Sequence, residues 1–574
     1  MLNSKTRLAV SVFLIALFAS SIYVAISLNS DFGKLEVKTV KIADKNRELT
    51  GLIYHPLDSS VDNPCPGIVL AHGISESKEI MSNLGLELAR RGYVVLCIDL
   101  PGHGNSDGTI EGARTEPDLG VQSAIKYLNS LQYVNSSAIG LVGHSLGAGA
   151  VRAANVENAQ ISATALIGGG IGTAAQGPQY GTLNSTFPKN LLVIIGEYDV
   201  LFSLADLTTN ELPSIFNSSI PVEAGILYGN FLNQTARKLI TPPTTHLFES
   251  VDLTVIQETI LWMEKALPTP ASETIAATNM IYVEREVSLL ISIVGLFGTV
   301  FLAYDPMAAL LSIRREKEKA TTNNQSSQNL KAYLVWGILN LALFFPMIAV
   351  GLVISFPPLV FGSSIAWWVL ATGVTGLLLV SRDRPRLSEN KIRLKTTLKN
   401  MFVKKEILIA CVLFVSLFAT ANLLQLFYSI NLRILAPIFQ ELSSMRRVLA
   451  FFAFIPFFSA YFVAEGLYLH ELQETKTGKG TWTGAINCVK VVFAKIAPFL
   501  IIIGLQYLPK LFFNIWVFPS FIGFITEFLW LVIPIFILTT VTSTWFYRNT
   551  HNIFAGAVLN TLTLAWIASV VFPF

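Results

Sequence analysis

The chain has 574 residues, 52% of them hydrophobic and 14% charged, with a formal net charge of +3. So apolar a composition excludes an ordinary water-soluble globule, and so small a charge over this length leaves no electrostatic footprint for nucleic acid. The four cysteines, Cys65, Cys97, Cys411 and Cys488, have neither Cys-x-x-Cys nor Cys/His ligand spacing, so no metal site or disulfide framework is expected.

Residues Leu8 to Leu28 form the first apolar run, preceded by Lys5 and Arg7. The run is long for a signal-peptide core and lacks a small-x-small site ahead of Asn29, so it predicts an uncleaved anchor over residues 1–28. Its flanking cations keep the N-terminus in the cytoplasm and send the following segment out. That segment, residues 29–267, carries Asn-x-Ser/Thr sequons at Asn135, Asn184, Asn217 and Asn233, in keeping with export.

Alternating polar and apolar residues over Lys34 to Val40 and Leu49 to Tyr54, around a polar turn at Asp44-Lys45-Asn46, predict a β-hairpin. Beyond it, continuous apolar runs (Gly67 to Ala71, Val94 to Ile98, Ile139 to Val142, Ala163 to Ile167, Leu191 to Ile195) alternate with amphipathic segments such as Met81 to Arg91 and Asp118 to Leu131. Buried parallel strands with crossover helices produce that rhythm, so the fold class expected here is α/β.

Gly143-His144-Ser145-Leu146-Gly147 follows one of these strands and precedes the small-residue helix start Ala148-Gly149-Ala150. A serine on a sharp strand-to-helix turn is exposed for attack, and the flanking glycines keep side chains off the neighbouring backbone. Further motifs come in order: Ala71-His72-Gly73-Ile74; Arg91-Gly92-Tyr93-Val94-Val95 leading into Asp99-Leu100-Pro101-Gly102-His103-Gly104-Asn105-Ser106; Gly196-Glu197-Tyr198-Asp199; and Thr245-His246-Leu247. From about Leu49 to Val251 the sequence resembles the α/β-hydrolase superfamily, in particular serine hydrolases of the monoacylglycerol lipase-like and S33 types. The resemblance implies a triad of Ser145, Asp199 and His246, in the superfamily's chain order, with the backbone amides of Ile74 and Leu146 as oxyanion donors. Glu197 is the rival for the acid role, and Asp99, His72, His103 and His144 are expected to be structural. The long interval from Asp199 to His246 predicts an excursion over Leu201 to Asn233, with a short helix near Leu204 to Ile215 that could partly cover the pocket.

Residues 268–286, with their Pro-Thr-Pro-Ala-Ser start, are expected to tether a membrane domain over 287–574. Its apolar runs begin near Val287, Leu334, Ile365, Ile407, Val448, Val491, Phe521 and Ile553, which makes nine spans with the anchor. Arg314, Arg315, Lys317 and Lys319 follow the second span, and a cationic stretch from Arg382 to Lys405 separates the fourth from the fifth, so both connections should be cytoplasmic and the C-terminus outside. Arg433, Arg446 and Arg447 run against that alternation. Inside the spans, Glu465 and Glu527 stand out as costly ionisable residues, whereas Lys495 is expected to snorkel to a cytoplasmic end. Ala464-Glu465-Gly466-Leu467-Tyr468-Leu469-His470 resembles the first motif of the CPBP-type intramembrane proteases, but Gly466 replaces that motif's second glutamate and His470 its arginine.

These readings predict a multi-pass protein of the cell membrane whose extracytoplasmic domain hydrolyses an ester, or a thioester or amide, through an acyl-enzyme. Its partners would be a small-molecule or lipid acyl substrate and the bilayer, with no cofactor, metal or nucleic acid. The sequence specifies neither the acyl group nor the leaving group. An alternative makes the spans the working part, as a transporter, lipid-handling protein or receptor carrying a hydrolase-like binding domain; the complete triad argues against it. An intramembrane protease would instead depend on Glu465 and a metal.

Overall fold

The computed structural model describes residues 4–574 apart from 112–114, 159, 172–179, 269–274, 314–325, 388–397, 399–401, 436–437 and 475–480. The cations Arg314, Arg315, Lys317 and Lys319, several of those between Arg382 and Lys405, and the Pro-Ala-Ser of the expected tether lie outside the described residues.

The globular half is built on one nine-stranded sheet: β1 (Leu35–Asp44), β2 (Arg47–Pro56), β3 (Cys65–Ala71), β4 (Val94–Ile98), β5 (Val134–His144), β6 (Ile161–Ile167), β7 (Leu191–Ile194), β8 (Leu227–Tyr228) and β9 (Arg237–Ile240). Their spatial order is β1-β2-β4-β3-β5-β6-β7-β9-β8. The predicted hairpin is antiparallel and joins β4 antiparallel, whereas β4, β3, β5, β6, β7 and β9 run parallel. Alternation within the strands divides the core: Val69 and Ala71 of β3 pack with the Val121–Ser130 and Leu146–Asn155 helices, while Ile68 and Leu70 pack with the Lys78–Ala89 and Leu253–Ala266 helices. A strand buried on both faces has no polar side to show, which is why these runs read as continuously apolar in the sequence. Because β3 crosses to β4 on one side and the chain returns to β5 on the other, a crevice opens at the carboxyl ends of β3 and β5, the usual ligand position in such sheets.

Among the described residues, nine helices are long and apolar enough to cross a membrane, from Lys5–Asn29 to Phe554–Val571, as the sequence predicts. Their outward faces carry large exposed apolar side chains such as Phe13, Val415, Phe452 and Phe493, a surface suited to lipid. Gly295 and Gly298 of the Tyr282–Leu310 helix bring it against Phe18 and Leu14 of the Ser4–Asn29 helix, and Ser21 hydrogen-bonds Ser292 at 2.9 Å.

The two halves are locked together. Arg285, at the head of the Tyr282–Leu310 helix, is buried and donates to Asn29 Oδ1 at 2.8 Å and Asn83 Oδ1 at 2.6 Å. Just upstream, Arg91 donates to Ala276 O at 2.7 Å and the Tyr282 amide to Glu87 Oε1 at 2.9 Å, so the described part of the expected tether is docked on the globular half. The loop before the Met445–Glu474 helix also docks, with Asn431 donating to Glu79 Oε1 at 2.6 Å and Arg433 paired with Glu286. Arg447 donates to Gly102 O at 2.9 Å and Ser569 O at 2.6 Å. Arg433 and Arg447 therefore break the charge alternation because they join the two halves. Lys495 does not snorkel; it is buried and paired with Glu465 between helices.

Candidate active site

β5 ends at His144 and the helix Leu146–Asn155 begins one residue later, which leaves Ser145 as the pivot at φ 51°, ψ −111°. A non-glycine residue on that side of φ is strained, and the strain is held by the Ser145 amide donating to Ile167 O at 2.8 Å. The flanking glycines are required by space: a Cβ at Gly143 would meet the carbonyl of Gly147, and one at Gly147 the carbonyl of Ala71.

His246 comes 101 residues later in a short 3-10 turn, and its Nε2 lies 2.9 Å from Ser145 Oγ. Its Nδ1 lies 2.8 Å from Asp199 Oδ2, beyond the end of β7, and both partners of that pair are buried. The three residues singled out from sequence thus form one hydrogen-bonded chain. Glu197, the rival acid, is exposed. Burial works against the charged form of His246, but the Asp199 carboxylate overrides it and raises the imidazole above its ordinary value of 6.5. Among the described residues, neither the Ile74 nor the Leu146 amide donates a hydrogen bond, and Ile74 lines the small space over Ser145.

A second layer of ionisable groups sits behind this chain, and the sequence reading did not assign it. His144 Nδ1 lies 3.0 Å from Glu76 Oε2, and its Nε2 lies 3.1 Å from His246 O and 3.4 Å from Glu249 Oε2. Burial opposes charge on His144, yet Glu76 and Glu249 hold it well above the usual histidine range. Glu76 is likewise opposed by burial but is drawn down to about 2 by His144, while Glu249 is pushed up mainly by burial. A buried imidazolium therefore grips the backbone carbonyl of His246 from behind. His144, His246 and Glu249 bring three potential metal-ligand atoms within 4.8 Å of one another. Each ring nitrogen already has a hydrogen-bond partner, so the cluster is explained as an acid–imidazole network. The spacing His246-x-x-Glu249 was the one available signal, since residues three apart in a helical turn share a face.

The motif residues expected to be structural are so placed. Asp99 accepts from the Lys78 amide at 2.8 Å, Lys78 Nζ at 2.7 Å and the Asn105 amide at 2.9 Å, which fixes the loop after β4. His72 Nε2 accepts from the Leu100 amide at 3.0 Å, and His103 is buried beside it.

The excursion after Asp199 holds a short helical stretch over Leu204–Phe216, but its Leu207, Leu212, Ile215 and Phe216 pack into the sheet core. Among the described residues, the cover over Ser145 comes instead from the Ser520–Thr550 helix: Phe524, Phe528 and Leu531 close the space above the serine. The Phe524 ring stands edge-on to His246, 5.4 Å between centroids. One turn on, Glu527 Oε2 accepts from the Leu247 amide at 2.9 Å. Glu527 is thus not midway along its apolar helix: it is seven residues from the helix start, about 10 Å along the axis, against the globular half.

Residues 62–202 match the family described as serine aminopeptidase, S33; the match includes Ser145 and Asp199 and ends before His246. Among solved structures, the chain is similar to an esterase from Pyrococcus furiosus, at 16% identity with 42% of this chain and 94% of that one covered and a TM-score of 0.31. It is also similar to a dienelactone hydrolase from Anabaena variabilis ATCC 29413, at 18% identity with 41% and 99% covered and a TM-score of 0.28. No curated protein matches. The strand order, the strained serine turn and the match over 62–202 together give the globular half an α/β-hydrolase-like fold, similar to the S33 family over the matched residues and joined to a region of long apolar helices.

Proposed function

We propose that this protein is a membrane-bound serine hydrolase that cleaves an ester through an acyl-enzyme on the extracytoplasmic side. The observation that carries the reading is the unbroken chain Ser145 Oγ, His246 Nε2 and Nδ1, Asp199 Oδ2, with separations of 2.9 and 2.8 Å. In the first step His246 Nε2 takes the Ser145 proton while Oγ bonds to the substrate carbonyl carbon. The carbonyl oxygen becomes an anion, for which the amides of Ile74 and Leu146 are the free donors; one such donor is typically worth about 3 kcal/mol of the barrier. Collapse of the intermediate breaks the bond to the alkoxy group, which leaves with the proton from His246. Water then repeats the sequence on the acyl-serine, releasing the acid and returning the proton to Ser145.

Asp199 orients the ring and stabilises its protonated form, and His144 fixes the backbone from which the ring hangs. The extracytoplasmic placement rests on Lys5 and Arg7 before the first apolar run and on the cations Lys404 and Lys405 at the head of the fifth.

Labelling with a fluorophosphonate tests the nucleophile: wild type should label and Ser145→Ala should not. Undiminished labelling of that variant would refute the assignment. Ester, thioester and peptide-amide substrates assayed side by side define the bond class.

A further inference from the structure

The space above Ser145 is small, about 20 Å³, little more than one water, and cannot house both sides of an ester. Next to it, on the far side of Leu247, lies a cavity of about 450 Å³, within the usual range for a small-molecule site. One wall is the strand-to-histidine loop, with Thr245 and Phe248; the other is membrane helix, with Ile503, Gly504 and Leu508 of the Thr481–Phe513 helix and Trp530 of the next. The 243–248 loop lines both spaces, and within it the Leu247 amide donates to Glu527 Oε2 at 2.9 Å, a contact we take as the partition between them.

Two features say what the cavity takes. Its lining is dominated by Phe248, Ile503, Leu508 and Trp530, so a hydrocarbon chain would be favourably buried there. Its mouth opens on an apolar surface suited to lipid: Leu508 lines the cavity yet is 54% exposed, and its helical neighbours Leu505 and Leu511 are 51% and 57% exposed on a helix apolar enough to span a membrane. Leu508 is five residues from the end of that helix, about 8 Å, so the opening lies near the hydrolase-side edge of the apolar layer. Within the cavity, the buried Tyr507 hydroxyl is a neighbour of both the Thr245 hydroxyl and the Glu527 carboxylate.

We infer that this junction cavity is a lateral port that holds the hydrocarbon chain of a bilayer-resident ester, delivered to Ser145 from the hydrolase-side leaflet without passing through water. The inference rests on the proposed hydrolase activity and adds its substrate class: amphiphiles with a long chain and an ester at the polar end. Movement of the Leu247–Glu527 partition would let the ester reach the serine while the chain stays between the helices.

The test uses the full chain in phosphatidylcholine nanodiscs, with p-nitrophenyl palmitate and p-nitrophenyl acetate as probes. A Cβ at Gly504 would find only Leu508, at an ordinary 3.7 Å, so Gly504→Leu fills the cavity without displacing backbone. The ratio of palmitate to acetate kcat/KM should fall at least tenfold in Gly504→Leu; an unchanged ratio overturns the inference. If that variant fails to take the fluorophosphonate label, a diazirine-bearing palmitoyl ester decides the matter in protein unaltered at Gly504. It should cross-link to the Pro243–Phe248 loop in Ser145→Ala, and cross-links confined to outward helix faces would overturn the port. Because cross-linking needs no turnover, a dead enzyme with a labelled loop would sink the hydrolase reading and leave the chain-binding site standing.

Discussion

Two buried clusters of ionisable residues, one in each half, differ in a way that separates a site from a strut. In the hydrolase, Asp199, His246, Glu249, His144 and Glu76 run from a reactive hydroxyl into the sheet, each imidazole nitrogen has a partner, and the chain ends at a space beside Ser145. In the helical half, Glu465 pairs with Lys495, Thr539 and Thr540 are within 3.4 Å, and the ammonium sits 4.3 Å from the Phe536 ring centroid. That second cluster ties three helices together and, among the described residues, its hydroxyls on Thr539, Thr540 and Ser543 face no imidazole base. An ionisable residue inside a membrane span is therefore not a site on the strength of its cost alone; a reactive group and room for a ligand are needed beside it. Glu527 makes the point from the other direction, since it belongs by sequence to the membrane helices and by contact to the hydrolase.

The comparison can be broken at several places. The largest effect is expected at the orienting acid: Asp199→Asn should lower kcat by about 10⁴-fold, since the ring loses the acceptor that sets its tautomer. A loss under tenfold would remove Asp199 from the chain.

Removing one partner of the membrane pair should act on stability. Lys495→Met leaves Glu465 buried and unpaired, which typically costs about 3–5 kcal/mol, and should lower the midpoint of thermal unfolding in detergent. Replacing both, as Glu465→Gln with Lys495→Met, should recover most of it; a single variant as stable as wild type would mean the pair is not a strut.

Glu527→Ala should lower kcat/KM by about tenfold, in keeping with the loss of one hydrogen bond to a charged group. Glu527→Gln, whose amide oxygen can still accept from Leu247, should restore most of that activity. Equal losses in both would point to the charge rather than the hydrogen bond.

The smallest effect concerns pH. His246 works as a base only when neutral, and its neighbours raise its pKa above 6.5, so activity should fall as pH drops through a midpoint higher than that of a free imidazole. Glu249 contributes to the upward shift, so Glu249→Gln should move the acid limb of kcat/KM to lower pH. A limb that stays in place would show that Glu249 carries no charge in the working enzyme.

Much of the site was readable along the chain because its parts are local. A serine between two glycines after an apolar run can adopt the strained turn at Ser145, and the acid of Gly196-Glu197-Tyr198-Asp199 follows directly on a buried strand. The short β9 was not read, because Arg237–Ile240 is too brief a run to carry a period. Glu76 and His144 were individually visible, but their pairing across 68 residues was not. The excursion at Leu201 to Asn233 looked like a cover because of its length, yet its apolar side chains are satisfied by the sheet core.

By itself the sequence determined the strand and helix alternation and the nine apolar helices, since these follow from composition and period, and through its resemblance to a known superfamily it implied the three residues of the hydrogen-bonded chain. Tertiary structure alone decided what roofs the serine and where a substrate could enter. Phe524 and Glu527 meet His246 and Leu247 across some 280 residues of sequence, and no local pattern records a contact that exists only after the helices have packed beneath the sheet.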